Sequence, residues 1–206
     1  KKQRKENSSP SITVSRCNKN DLELATKSIQ AARLRLEIGS IGNASLESMV
    51  GREWKVGADR ELESVILDVL QNESDYPILS EESGVVSGKG NRYWIVDPLD
   101  GSVNFLRRLP FYCISVGLWE DEIPILGAVW EVSSDRLFTG IVGIGAWCND
   151  EPMQLNHKMP IEPLNAVFCT GLPVGFEHSE SNIQILVKAC SRFGKVRMLG
   201  SAALML

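Results

Sequence analysis

Residues 94–105 read Trp-Ile-Val-Asp-Pro-Leu-Asp-Gly-Ser-Val-Asn-Phe, an apolar run that passes into acidic and turn-forming residues. The residues before Asp97 are apolar, β-branched or aromatic, which predicts a strand buried on both faces. We expect this strand to end at Asp97, because Pro98 cannot donate a hydrogen bond to a neighbouring strand and residues 100–102, Asp-Gly-Ser, favour a turn. The carboxylates of Asp97 and Asp100 can then converge beyond the carboxyl end of the strand, where open α/β sheets usually bind ligands.

A second acidic segment precedes the first. Residues 76–79, Tyr-Pro-Ile-Leu, predict another strand, which runs into residues 80–84, Ser-Glu-Glu-Ser-Gly. If the two strands are neighbours, Glu81 or Glu82 joins the two aspartates at the same edge of the sheet. Three carboxylates this close repel one another strongly unless a divalent cation is bound. Ligation by oxygen atoms alone favours Mg²⁺, with Mn²⁺ as a substitute.

Each acidic segment has an ordinary structural interpretation when it is taken alone. The sequence Asp-Pro-Leu-Asp-Gly is typical of a plain turn, and Glu81-Glu82 is typical of a solvated loop. Their joint position at the ends of two apolar strands favours a metal site over these interpretations.

The composition excludes several classes of protein. The chain has 206 residues, 43% of them hydrophobic and 23% charged, which is enough to bury a sizeable core. Its net charge of −4 provides no basic surface for nucleic acid or for a membrane. The five cysteines are widely spaced and form no Cys-x-x-Cys pair, which indicates core thiols in a reducing compartment. With no signal peptide and no membrane-spanning run in this sequence, we expect a cytoplasmic protein.

The order of the apolar segments predicts an α+β or a layered α/β chain, of which we expect α+β. We expect a tail without fixed structure in residues 1–18, an N-terminal α+β metal-binding lobe in residues 19–150 and the start of an incomplete C-terminal α/β lobe in residues 151–206. In the first lobe the periodicity predicts helices at 21–38 and 58–71, a loop or hairpin at 39–53, and an antiparallel meander of strands at 112–119, 123–130, 136–141 and 146–148. In the second it predicts a strand at 166–170, a helix at 179–192, a strand at 195–198 and a helix from Ser201.

The two acidic segments together resemble the inositol monophosphatase family, which consists of Mg²⁺-dependent, lithium-sensitive phosphatases. Residues 80–83 and 94–105 carry the resemblance, and residues 197–204, Arg-Met-Leu-Gly-Ser-Ala-Ala-Leu, resemble the family's Gly-Ser-Ala segment. The resemblance runs from about Asp59 to the last residue. It implies a layered α-β-α-β-α sandwich, a homodimer and a small phosphorylated substrate.

The resemblance also implies a role for each site residue. Two or three Mg²⁺ ions would be held by Glu81, Asp97, Asp100 and the Leu99 carbonyl. They would clamp the phosphate and lower the pKa of a bound water. Ser102 with Asp59, and Glu81 itself, would orient and deprotonate that water. The substrate would contact Asp100, Gly101, Ser102, Gly200, Ser201 and Ala202, with the amides of Gly101 and Ser102 at a helix start holding phosphate oxygens. The two histidines, His157 and His178, receive no catalytic role.

Three departures from the family pattern have consequences. Residues 55–59 read Lys-Val-Gly-Ala-Asp where the family has Val-Thr-x-x-Asp, so capping of a helix is an equally good interpretation of Asp59. Ser102 replaces the family's Thr and keeps the hydroxyl. The family's later Trp-Asp-x-Ala-Ala-Gly segment, whose Asp completes the metal site, has no counterpart, because no Trp of this chain precedes Asp. We therefore expect residues 1–206 to be a fragment or to lack a ligand, and to bind metal weakly and turn over poorly alone.

Three functions are consistent with these residues. The first is a Mg²⁺-dependent phosphatase of inositol monophosphate or a related sugar or polyol phosphate. The second is a 3′(2′),5′-bisphosphate nucleotidase or a fructose-1,6-bisphosphatase of the same superfamily, although residues 103–105, Val-Asn-Phe, resemble the monophosphatase branch more closely. The third is a non-catalytic relative that acts through metal binding or dimerisation.

Overall fold

The computed structural model describes residues 19–37, 46–50, 53–154, 162–172 and 175–206, and for residues 46–50 and 53–56 it describes the backbone alone. The predicted tail, with Cys17, and His157 lie outside the described residues. In the described part of the chain, no helix is both long enough and apolar enough to cross a membrane.

The described chain contains both helices and strands. The helices are α1 Lys19–Glu37, α2 Gly57–Glu73, α3 Ser102–Leu106, α4 Glu180–Cys190 and α5 Ala202–Met205. The strands are β1 Leu46–Val50, β2 Glu53–Val56, β3 Ile78–Ser80, β4 Gly84–Val86, β5 Arg92–Asp100, β6 Cys113–Glu120, β7 Ile123–Glu131, β8 Arg136–Ile141, β9 Gly145–Cys148, β10 Glu151–Pro152, β11 Val167–Cys169 and β12 Lys195–Arg197. A short 3₁₀ helix spans Pro163–Asn165.

Eight of the described strands form one mixed sheet in the order β10-β9-β8-β7-β6-β5-β3-β4. β3 pairs with β5 in parallel, whereas the meander from β6 to β9 is antiparallel, as its hairpin spacing predicted. β1 and β2 form a separate antiparallel hairpin, and β11 and β12 pair in parallel on either side of α4 in the chain. The mixed sheet and its helices confirm the predicted α+β class.

The central strand β5 is longer than the sequence predicted. Asp97 pairs with Ser115 and Asp100 with Cys113, and the register shifts between these two pairs. The prediction that the strand ends at Asp97 is therefore wrong. An irregularity at this point accommodates Pro98, because a residue without an N–H is tolerated where ladder pairing is interrupted.

The core lies between α1, α2 and the sheet. The two helices pack against each other, α1 also contacts β6 and β7, and α2 contacts β5. The fully buried side chains include Ile29, Leu62, Leu70, Trp94 and Ile114. The helices supply their apolar stripes at helical spacing, whereas the strands contribute alternate residues, so both periodicities of the sequence converge on one core.

The cysteines only partly follow their predicted role. Of the four that the structure describes, Cys113 is buried, whereas Cys148, Cys169 and Cys190 are half-buried, and all four are free thiols. The core-thiol interpretation is correct for Cys113 and wrong for the other three, because these lie on a short strand near the edge of the sheet and in the smaller β11–α4–β12 region.

Candidate active site

The parallel pairing of β3 and β5 brings the two acidic segments together. Ile78 lies opposite Trp94 and Ser80 opposite Val96, so the carboxyl end of β3 lies beside the part of β5 that leads into Asp97. The chain leaves β3 at Glu81, whose backbone N–H donates to the Val96 carbonyl at 3.3 Å. The metal site inferred from the sequence was conditional on this adjacency, and the pairing of β3 with β5 meets that condition.

Asp97 is the most strongly perturbed acid of this edge. Burial, the charges of Glu81 and Asp100, and a hydrogen bond with the Glu81 carboxyl raise the pKa of Asp97 to about 8. The Leu99 amide, which donates to Asp97 Oδ1 at 3.1 Å, acts in the opposite direction. Without a cation, Asp97 is therefore mostly protonated at neutral pH. An environment so unfavourable to a third negative charge is one that a divalent cation would relieve.

Asp100 connects the acidic turn to the Gly-Ser-Ala segment. Its Oδ2 accepts hydrogen bonds from Ser201 Oγ and from the Ala203 amide, both at 2.7 Å. Ser201 is fully buried, and the Cys113 thiol lies 3.8 Å from the same oxygen. Ser201 precedes α5, but its hydroxyl does not cap that helix. The Ala203 N–H in the first turn of α5 donates to Asp100 instead.

The oxygen donors of this edge are of the type that a hard cation prefers. Their present arrangement, however, is not that of a formed metal site. Glu81, Asp97 and the Leu99 carbonyl would offer oxygen ligands alone, which is the donor set that Mg²⁺ and Mn²⁺ prefer. Among the residues that the structure describes, no three Asp, Glu, His or Cys side chains are positioned to hold a metal ion. Asp100 acts on Asp97 through its charge, while its own carboxylate is bonded to Ser201 and Ala203. The structure thus brings Glu81 and Asp97 together and holds Asp100 slightly apart.

Asp59 and Ser102 lie on the helices that flank this edge. Asp59 is in the first turn of α2 and only 6% exposed, whereas a residue that merely capped the helix would ordinarily face water. Ser102 is the first residue of α3. It follows Gly101, whose φ of +88° and close approach to Phe111 and Gly200 exclude a side chain: a Cβ there would lie 3.0 Å and 3.2 Å from their carbonyl oxygens.

Two polar residues beside the site were not predicted from the sequence. Asn104 is buried in α3, and its Nδ2 donates to the carbonyls of Phe111 and Leu199, both at 2.7 Å. Glu63 is 4% exposed in α2. Glu63 could have been found as a carboxylate on the apolar stripe of a helix, one turn after Asp59. Asn104 could have been found as an amide within the acidic motif.

Glu63 accepts four hydrogen bonds from the turn that follows β3. They come from the hydroxyls of Ser80 and Ser83 and from the amides of Glu82 and Ser83, the amides at 3.1 Å and 3.0 Å. Burial alone would raise the pKa of Glu63, but these donors outweigh it and lower the pKa below its usual range. Glu63 is therefore a buried, ionised acceptor for the segment that carries Glu81.

The chain is similar to known proteins over most of its described length. It matches the inositol monophosphatase family over residues 18–206. It is 36% identical over 146 residues to an inositol-1-monophosphatase of Synechocystis, an alignment that covers 68% of this chain and 50% of that protein. It is 29% identical to a fructose-1,6-bisphosphatase/inositol-1-monophosphatase of Aquifex aeolicus, covering 82% of this chain and 64% of that protein. The chain thus spans between half and two thirds of the length of these relatives.

The fold is also found in solved structures. The structure of an inositol monophosphatase from Anabaena superposes with a TM-score of 0.74 at 27% identity, covering 90% of this chain and 69% of that one. The extragenic suppressor protein suhB of Bartonella henselae superposes with a TM-score of 0.75 at 26% identity, covering 90% and 72%.

Proposed function

Because the chain belongs to the inositol monophosphatase family, we propose that it acts in the Mg²⁺-dependent hydrolysis of a small phosphate monoester, with inositol monophosphate as the first substrate to test. The observation that carries this proposal is the edge where Glu81 and Asp97 meet, at which the pKa of Asp97 rises to about 8. Mutually repelling carboxylates at the ends of adjacent strands are the donor set that a hard cation would stabilise.

The first task of the site residues is to hold the cation and the phosphate. Glu81, Asp97 and the Leu99 carbonyl would hold Mg²⁺, with Asp100 as a further ligand once its carboxylate turns from Ser201 and Ala203. When it is bound, Mg²⁺ neutralises charge on the phosphate and makes water a better nucleophile. Asp97 must release its proton on binding, because a carboxylate ligates in its ionised form.

The second task is to control the proton of the attacking water. Glu81 would accept this proton, and the buried Asp59 would orient the Ser102 hydroxyl towards the same water. The water oxygen forms the new bond to phosphorus, the phosphorus–oxygen bond to the alcohol breaks, and the alcohol leaves after taking up a proton. No covalent intermediate is needed for this displacement.

The alcohol portion of the substrate would bind next to the Gly-Ser-Ala segment. Asp100 already bonds to Ser201 and to Ala203, and Gly101 lies directly against Gly200. This junction supports the assignment of substrate contacts to Asp100, Gly101, Ser102, Gly200, Ser201 and Ala202. Hydroxyl groups of a polyol would replace the present hydrogen bonds across it.

Fructose 1,6-bisphosphate is a second candidate substrate. The name of the Aquifex aeolicus relative combines both activities, and the chain is 29% identical to that protein. For the whole protein we further propose inhibition by lithium, a homodimer and a cytoplasmic location, in keeping with the family resemblance of residues 80–83 and 94–105.

Release of inorganic phosphate from inositol 1-phosphate, with and without Mg²⁺, tests the proposal. Fructose 1,6-bisphosphate and 3′-phosphoadenosine 5′-phosphate complete the substrate panel. The chain of residues 1–206 is assayed beside any longer native form, each with an Asp97→Asn variant and with Asp68→Asn, an exposed carboxylate on α2, as the matched control.

We expect release that needs Mg²⁺, that persists in Asp68→Asn and that falls by about 100-fold in Asp97→Asn, since the substitution removes a ligand for the cation. The preferred member of the panel then identifies the substrate class. A longer form that stays inert on every substrate would contradict the catalytic role and favour a non-catalytic one based on binding or dimerisation.

A further inference from the structure

Glu63 is a buried carboxylate that the proposed chemistry does not use. It lies on α2, its side chain is almost completely removed from solvent, and both carboxylate oxygens accept hydrogen bonds. Oε1 accepts from the Ser80 hydroxyl and from the amides of Glu82 and Ser83, whereas Oε2 accepts from the Ser83 hydroxyl. All four donors belong to residues 80–83, which run from the last residue of β3 through the turn that leads to β4.

This turn is the segment that carries Glu81. The donors to Glu63 lie on both sides of Glu81 in the chain, and the Glu81 amide itself donates to the Val96 carbonyl of β5 at 3.3 Å. The backbone of Glu81 is thus held between α2 on one side and β5 on the other. Glu81 is an exposed residue whose carboxyl contacts Asp97, so the backbone of the turn determines whether that carboxyl reaches Asp97.

The same contact links Glu81 to Asp59. Glu63 follows Asp59 by one helical turn, so both side chains lie on the same face of α2. A shift of the turn relative to α2 would therefore change the distance between Glu81 and Asp59, the two groups assigned to the attacking water.

Resting on the proposed function, we propose that Glu63 is a positioning residue: it fixes the Ser80–Ser83 turn so that Glu81 is aligned with Asp97 to bind a divalent cation. Residues that orient metal ligands through hydrogen bonds typically change metal affinity by 10- to 100-fold when they are replaced. A glutamine retains the size of Glu63 and can keep one oxygen for the Ser80 hydroxyl and the two amides, but it loses the negative charge that strengthens these hydrogen bonds and cannot accept from the Ser83 hydroxyl through its NH₂ group.

The test measures binding of Mn²⁺ alone to residues 1–206, from the electron paramagnetic resonance signal of free Mn²⁺, together with the melting temperature of each variant. Glu63→Gln is compared with Glu61→Gln, the same change two positions away on α2. Glu61 is an exposed residue that pairs with Arg35 at 2.8 Å and does not face the turn. Ser83→Ala is the second variant, because it removes one donor to Glu63 at an exposed position that folding tolerates.

We expect the Mn²⁺ dissociation constant to rise by about 10-fold or more in Glu63→Gln, by a smaller factor in Ser83→Ala, and by less than about twofold in Glu61→Gln. A role in folding alone would lower the melting temperature and leave the affinity of the folded fraction unchanged. A folded Glu63→Gln variant with unaltered affinity would overturn the inference.

If Glu63→Gln does not fold, Ser83→Ala decides, and an unaltered affinity in that variant overturns the inference. Failure of the unaltered chain to bind Mn²⁺ would instead overturn the metal centre of the proposed function, and the inference with it. The two failures are thus distinguished by the unaltered chain.

Discussion

Asp97 determines the charge balance of the site at the scale of a single residue. Its carboxyl is half-buried beside Glu81 and Asp100, and its pKa of about 8 lies far above its ordinary value of 3.8. The folded chain therefore binds a proton that the unfolded chain releases at moderately acidic pH. This proton links the stability of the metal-free protein to pH.

Because the folded-state pKa of Asp97 is raised, its contribution to stability is complete below about pH 4 and is lost as the pH rises towards 8. We expect the Asp97 contribution to the free energy of unfolding of the metal-free protein to fall by about 2 kcal/mol or more across this window, since one pKa unit is worth about 1.4 kcal/mol. Urea unfolding in the presence of a chelator, from pH 5 to pH 8, measures it. Asp97→Asn should remove this part of the decline, whereas parallel curves for the two proteins would show that the carboxyl is not perturbed.

Cys113 is the buried thiol beside Asp100 and Ser201. Burial and the nearby charges of Asp100 and Asp97 raise the pKa of its thiol to about 12, although a hydrogen bond with Ser201 lowers it. We expect Cys113 to resist iodoacetamide at pH 8 in the native protein, while the half-buried Cys148 is alkylated several times faster. Peptide mass spectrometry measures both rates in one sample, with the urea-unfolded chain as the reference for full reactivity. Equal native rates would contradict the burial of Cys113.

At the scale of elements, α3 connects the acidic turn to the Gly-Ser-Ala segment. Asn104 contributes to this connection through the Leu199 carbonyl, and it also donates to the Phe111 carbonyl. The sequence predicted the strand, the acidic turn and the helix start, because each has a local signal of apolar run, turn residues or spacing. It could not predict the partners of Asn104 and Glu63, because these are groups far away in the chain that only the folded backbone brings near.

Asn104→Ala should destabilise the protein by about 2–3 kcal/mol, because two carbonyls lose their donor in a buried place. It should also raise the KM for the substrate more than it lowers kcat, since the Gly-Ser-Ala segment loses its contact with α3 and is held to the acidic turn by fewer hydrogen bonds. The matched control is Asn91→Ala, an exposed amide whose Nδ2 donates to Asp121 at 3.0 Å. Thermal unfolding and phosphate-release kinetics provide the two readouts. A loss of stability with unchanged KM would assign Asn104 to folding alone.

The bulged end of β5 shows how a correct local signal can give a wrong boundary. Pro98 indicated the end of the strand, but pairing with β6 resumes at Asp100 and Cys113. Tertiary pairing outweighed the local preference, because β5 is central and both of its neighbours supply hydrogen bonds. The consequence for the site is that Asp97 and Asp100 are both fixed by the sheet.

At the scale of the whole molecule, the helical layer of α1 and α2 supports the strands that carry the acidic residues. We expect Leu70→Ala, at a fully buried position of α2, to cost about 2–5 kcal/mol, because it leaves a cavity against the sheet. Leu34→Ala, at a position of α1 that is 58% exposed, should change the stability by less than about 0.5 kcal/mol. Chemical denaturation of both variants measures the difference. Similar small costs would mean that the helices do not share the core of the sheet.

The α+β class could be predicted from the sequence, since it depends on periodicity and on the order of segments, whereas the adjacency of the acidic strands was only a condition of the expected metal site. The present arrangement of the carboxylates could not be predicted. Asp100 is bonded to Ser201 and Ala203, and this depends on how the C-terminal residues return to the acidic turn. Hydrogen bonds between residues so far apart in the chain leave no local signal in the sequence.

Calorimetric titration of Mg²⁺ at pH 7 tests most directly whether Glu81 and Asp97 hold a divalent cation. Two buffers of different ionisation enthalpy report the protons released, and Asp97→Asn is compared with Asp68→Asn. We predict Mg²⁺ binding that releases protons, because Asp97 has a pKa of about 8 and must ionise to ligate, and an affinity about 10-fold lower or worse in Asp97→Asn alone. Binding with the same affinity and the same proton release in Asp97→Asn would place the cation elsewhere and contradict the account.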